Sequence, residues 1–133
     1  MECRRFESGT RWEPLVGYAR AVRVGRQVYV SGTTAVGPDG EIIGIGDPYR
    51  QTVAAIQNIR RALRALEADL EDIVRTRVYV TNINHWPDVG RARGEFFRDI
   101  RRAATMVDVS RLISPDLLVE VEAEAVVDAE DPN

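Results

Sequence analysis

Few residues in this chain can do covalent chemistry. All 18 basic residues are arginine. Without lysine, no internal Schiff base can form and no P-loop is present. His85 is the one histidine and Cys3 the one cysteine. That excludes a histidine-rich metal site and an intrachain disulfide. A Ser-His-Asp triad would have to use His85, and nothing near any serine suggests one. What remains is acid-base work by carboxylates and anion binding by arginine. Glu120, Glu122 and Glu124 alternate with apolar residues. Such a row could orient water or bind a metal, or it is the wet face of a strand. Arg101 and Arg102 stand directly before "AATMVDVSRL", a run that reads as a β-strand. They either aim a planar fork at a carboxylate or cap the end of a helix, where cations are favoured.

The elements that must position these residues follow from periodicity. "ARAVRVGRQVYVSGT" reads as a hairpin turning at Gly25-Arg26. Gly37-Pro38-Asp39-Gly40 is a second turn, with "EIIGIG" a short strand or loop. Asp47-Pro48 starts a helix with the apolar stripe Thr52, Ile56, Ile59, Leu63, Leu66, Leu70. "IVRTRVYVT" is a strand with Val74, Thr76, Val78 and Val80 on one face and Ile73, Arg75, Arg77 and Tyr79 on the other. Pro87 suits the start of a second helix with the stripe Val89, Ala92, Phe96, Ile100. A strand follows in which Val107 and Val109 oppose Met106, Asp108 and Ser110. The last strand, from about Leu117 to Val127, turns Val119, Val121, Ala123, Ala125 and Val127 inward.

The order β-β-(β)-α-β-α-β-β predicts an α+β domain: one mixed sheet with two helices on one face. The 133 residues suit one domain. Residues 1–14 form an N-terminal segment in which Cys3 is expected to fray, and 128–133 an acidic frayed tail. Hydrophobic residues make up 44% and aromatics 7%, so the core is mostly aliphatic. A net charge of −3 and a pI near 5.2 argue against nucleic acid as main partner. The arginines at 91, 93, 98, 101 and 102 are a local exception, read as a solvated helix face. "MECRRFESGTRWEP" has no apolar stretch of the signal-peptide kind, and no run nears the roughly 20 residues of a membrane span. A cytoplasmic protein is expected, with no membrane partner. The second sheet face, read as carrying Met106, Leu118 and Val126 among charges, suggests self-association.

With these elements in order, the chain resembles the Rid family, the YjgF-type reactive-intermediate deaminases also catalogued as L-PSP endoribonucleases. "VGYARAVRVGRQVYVSGT", the helix-strand centre "QTVAAIQNIRRALRALEADLEDIVRTRVYVTNINHW", "TMVDVSRL" and "LVEVEAEAVV" carry the likeness, from about residue 17 to 127. The resemblance implies a chorismate-mutase-like fold and a homotrimer with clefts between subunits. In the deaminase branch, an arginine holds the carboxylate of an enamine or imine, and water placed by a glutamate releases ammonia. Tyr18, Ser31 and Gly32 match cleft residues, and Glu120 matches the water-placing acid. Met106 stands where many members have cysteine. Ala104 replaces the branch's arginine, Gly90 its frequent asparagine, and Val16-Gly17 its Gly-Pro. Arg102, one strand repeat away, is the substitute considered for the missing arginine.

Three functions are compatible with these residues. One is hydrolysis of enamine or imine intermediates to keto compounds and ammonia, with Glu120 catalytic and Tyr18, Ser31, Gly32, Arg102 and Met106 binding substrate. The second is a trimeric binding module for a small, carboxylate-bearing metabolite. The third, RNA cleavage, is opposed by the acidic pI, the missing lysines and the lone histidine. No cofactor or metal is expected.

Overall fold

The computed structural model describes residues 2–128; the expected acidic tail lies almost wholly outside them. A six-stranded mixed sheet is built from β1 (Cys3–Phe6), β2 (Ala21–Val24), β3 (Gln27–Thr33), β4 (Ile73–Val80), β5 (Ala103–Asp108) and β6 (Val119–Val126). The strand order is β1-β2-β3-β6-β4-β5. Only β4 and β5 run parallel. Three helices accompany it: short α1 (Trp12–Val16), α2 (Pro48–Ala65) and α3 (Trp86–Phe97). The α+β class and the two long helices are as read from the sequence.

Each long element forms for a local reason. Gly25, at φ 60°, closes the β2–β3 hairpin in two residues. Asp47 caps α2 by accepting from the Arg50 amide at 3.0 Å, and Pro48 follows at the first helical position. The stripe Thr52, Ile56, Ile59, Leu63 and Leu66 is buried, as is Leu70. Helix α2 nonetheless ends at Ala65, and Leu70 belongs to a separate 3-10 turn, Leu70–Asp72. Glu67, at φ 63°, supplies the break. In β6, Val119, Val121, Ala123 and Ala125 are all buried while the glutamates between them face the other way. These side chains join α2 and α3 in one core, which includes Val89 and Phe97.

Four sequence expectations are corrected. Residues 3–6 do not fray: they pair antiparallel with β2, and α1 follows. Of the two readings of "EIIGIG", strand or loop, the structure takes the loop, with only the isolated Val36–Ile42 bridge. In β4 the first two faces are exchanged: Ile73 is fully buried and Val74 exposed. A bulge between Ile73 and Arg75 shifts the register there, and one extra residue inverts every side chain before it. Met106 lies on the helix side rather than the open face, packed against the core as the partner of buried Val78. Strand β5 starts at Ala103, directly after the two arginines as read, but ends at Asp108, before Val109 and Ser110. Among the described residues, no helix is long and apolar enough to cross a membrane.

Candidate functional site

The sheet brings Tyr18, Ser31, Gly32 and Glu120 together, and puts an unforeseen cation among them. Strand β3 slips by one residue against β6 between Val30 and Thr33, so that Ser31 and Gly32 form a bulge beside the start of β6. Arg20, just before β2, reaches this bulge. Its Nη1 donates to the Gly32 carbonyl and, at 3.3 Å, to Thr33 Oγ1. Its Nη2 lies 3.4 Å from the Tyr18 hydroxyl, and its guanidinium lies 5.5 Å from the centre of the Tyr18 ring. Ser31 Oγ donates to the Ala19 carbonyl at 2.8 Å, pinning the bulge to the chain around Tyr18.

Behind Arg20 is Glu13, whose side chain is 1% exposed. A buried carboxylate needs partners, and Glu13 has them. It accepts from the Ser8 amide (2.9 Å), the Ser8 hydroxyl and Thr10 Oγ1 (2.9 Å), and it lies 3.6 Å from Arg20 Nη2. Burial pushes its pKa up, but these hydrogen bonds and the Arg20 charge outweigh burial and hold it below the usual value. Sequence reading missed both residues. Arg20 had one usable signal: two residues after Tyr18 in extended chain, it falls on the same side. Glu13 had none, because its burial depends on Ser8 and Thr10 closing over it and on Arg20 reaching it from before β2.

The three glutamates of β6 separate cleanly. Glu122 accepts from the Tyr79 hydroxyl, and Glu124 from Arg77 Nη1 at 3.0 Å. Glu120 has no hydrogen bond or ion pair among the described residues. Its carboxyl rests on the Gly32 backbone: a Cβ there would overlap Oε2 outright and stand 2.9 Å from Cδ. Burial pushes its pKa up; nearby Arg20 pulls it down, and Glu122 adds repulsion, leaving a net rise. A desolvated carboxyl with unused lone pairs, near a guanidinium, can accept a proton from water and return it.

Arg102 and Met106 lie elsewhere in the chain. Arg102 Nε donates to the Ile73 carbonyl (2.7 Å), Nη2 to Glu71 (3.0 Å) and Nη1 to Ile100 (3.3 Å). It ties the start of β4 to the segment after α3. Glu120 pairs with Tyr79 and Ala103 with Arg75. Arg102 is therefore more than four residues along the sheet from Glu120, roughly 13 Å or beyond. Arg101, at φ 54°, turns the chain out of α3, its amide donating to the Phe97 carbonyl. Ala104 is exposed on the edge strand β5. No cluster of three potential metal ligands occurs among the described residues.

Comparison with known proteins agrees with this architecture. Residues 8–127 match the family model described as endoribonuclease L-PSP. The crystal structure of Rv2704 from Mycobacterium tuberculosis, described as a member of the YjgF/YER057c/UK114 family, superposes with a TM-score of 0.86 at 44% identity, over 95% of this chain and all of that one. An uncharacterised protein of Streptomyces coelicolor is 40% identical over 92% of this chain and 90% of its own length. A 2-iminobutanoate/2-iminopropanoate deaminase of Dermatophagoides farinae is 27% identical over 87% of this chain and 90% of its own. The chain belongs to the YjgF-type, or Rid, family.

Proposed function

We propose that the protein hydrolyses small imines or enamines bearing a carboxylate, at a cleft completed by a second copy of the chain in a homotrimer. One observation carries this reading. Among the described residues, Glu120 is the single glutamate of its strand left without a protein partner, and it is desolvated against Gly32 with Arg20 nearby. In the reaction, Glu120 takes a proton from water as the oxygen adds to the C=N carbon. The proton passes to nitrogen, giving a carbinolamine; its hydroxyl proton then moves to nitrogen as C=O forms and the C–N bond breaks, and ammonia and a keto acid leave. Backbone and hydroxyl groups around Gly32 and Ser31 hold the water and the substrate. The deaminase name carried by a relative supports the same reaction class.

The test is ammonia release from 2-iminobutanoate or 2-iminopropanoate generated in situ. Glu120→Gln keeps the size and removes the charge. It should leave the assembly intact and lower turnover at least tenfold, since a general base usually contributes roughly 10²–10⁴. Turnover that survives the substitution excludes Glu120 as the water-handling group. Ala104 favours a second reading, a binding module without chemistry. That reading gains if no imine turns over while a carboxylate ligand binds and Glu120→Gln changes its affinity less than tenfold.

A further inference from the structure

Arg93, on α3, stands apart among the arginines of the helix-covered face; Arg75, also half-buried and without a partner among the described residues, lies on the open face opposite Glu124. Arg93 is partly buried against the sheet, yet it has no acidic partner among the described residues. Arg23 and Arg102 also lack acids, but each satisfies its guanidinium with three backbone carbonyls. Arg93 has one acceptor atom, Thr76 Oγ1, shared by Nε at 3.3 Å and Nη2 at 3.0 Å. The Phe97 ring lies 4.9 Å away. Of the five guanidinium N–H donors, the remainder have no protein partner. Its unpaired donors are not fully buried and stay open to a ligand at the surface, while partial burial pulls its pKa down.

The surroundings show where a counter-charge fits. Thr76 pairs with Ala123 of β6 on one side and Ala104 of β5 on the other. Register partners point to the same face, so Ala123, Thr76 and Ala104 make a low row on the helix side. Arg93 lies over its middle. Ala123 is buried, whereas Ala103, Ala104 and Thr105 are exposed at the sheet edge. The row is therefore closed at one end and open at the other. Adjacent strands lie about 4.8 Å apart, so the open end is within reach of a small ligand bound to the guanidinium. On α3, Gly90 lies one turn before Arg93 and adds no side chain above this opening.

We propose that Arg93 is the anion anchor of this protein, binding the carboxylate of a small 2-keto or 2-imino acid through the sheet edge at Ala104. This deepens the reading above and rests on it for the class of ligand. Arg93 takes the bidentate role from the helix, while the strand position that could hold an arginine carries alanine. Arg93 and Glu120 sit on opposite faces of one sheet, so they meet across a subunit boundary: the anchor from one copy and the water-handling carboxyl from the next.

Pyruvate, a stable keto acid, is the probe, titrated calorimetrically into the intact protein beside its neutral amide. The native protein should bind pyruvate at least about tenfold more tightly than pyruvamide, the difference expected of a charged bidentate contact. Arg93→Met should abolish that difference with the melting temperature nearly kept. Arg93→Met combined with Ala104→Arg should restore it, which a merely structural Arg93 would not allow. If Arg93→Met does not fold, Arg93→Lys decides, because an ammonium lacks the planar fork and must bind pyruvate more weakly. Equal pyruvate affinity in the native and Arg93-substituted proteins overturns the proposal, as does a native protein that fails to bind millimolar pyruvate. Arg93-dependent binding without turnover of any imine would remove the catalytic reading alone. Unaltered imine turnover and KM in Arg93→Met would remove the anchor alone.

Discussion

Glu13 has the most consequential single side chain outside the reacting groups. It is buried, it accepts three hydrogen bonds, and it faces Arg20, which in turn holds the Gly32 carbonyl. Glu13→Gln keeps the volume but places an amide donor against Ser8 and leaves Arg20 unbalanced. Breaking a buried pair from one side costs about 3 kcal/mol. Calorimetry should show a melting temperature lower by roughly 10 °C. The pH dependence has a definite sign. The folded carboxyl titrates below its unfolded value of 4.5, so its contribution is complete above that value and is lost as pH falls through the folded pKa. Between pH 6 and about pH 3 the variant should therefore lose less stability than the native protein. An equal or steeper loss would show that Glu13 is not held ionised by its partners.

At the scale of elements, the β3 bulge makes the site. A regular β3–β6 ladder would alternate Ser31 and Gly32 between faces; the slip between Val30 and Thr33 sets two residues opposite one of β6 and brings the Gly32 backbone against the Glu120 carboxyl. Gly32 is glycine because the Glu120 carboxyl occupies the space a Cβ would take. Gly32→Ala should fold, since the overlapping atoms are the far end of a flexible side chain. The carboxyl must then swing away, and imine turnover should fall at least tenfold, with Tm shifted by only a few degrees. Unchanged turnover would mean that the carboxyl position seen here is not the working one. The same elements show how far pattern reading reaches. The stripe of α2 and the alternation of β6 were legible because one period runs through each. The faces of Ile73 and Val74 were not, because a bulge is set by the partner strand.

For the whole molecule, one sheet face is covered by α2 and α3 and the other is not. Tyr29, Val107 and Val126 are exposed on that open face, among Glu122, Glu124 and Arg77. Among the described residues there is no second sheet to cover it. Exposed apolar area beside a charged row fits an interface between copies. Light scattering at micromolar concentration should give about three times 14.9 kDa. A stable monomer would leave Arg93 and Glu120 on opposite faces of one sheet and would end both the shared cleft and the anchor.

The sequence by itself determined the α+β class, the two long helices, the inward set of β6 and the family, because each is written in local periodicity or in motifs that keep their order. It also marked Tyr18, Ser31, Gly32 and Glu120. It did not determine which arginines are free. Arg102, the arginine nearest the vacant position in sequence, is held by three carbonyls that the chain brings from Glu71, Ile73 and Ile100. Arg20 and Arg93, which sequence spacing did not single out, are placed by the β3 bulge and by the packing of α3 on Thr76. An arginine's partners come from segments distant in the chain, and its long side chain crosses several candidate sites. Only the tertiary structure, by fixing which acceptors surround each guanidinium, decides which ones are consumed by the fold and which keep donors for a ligand.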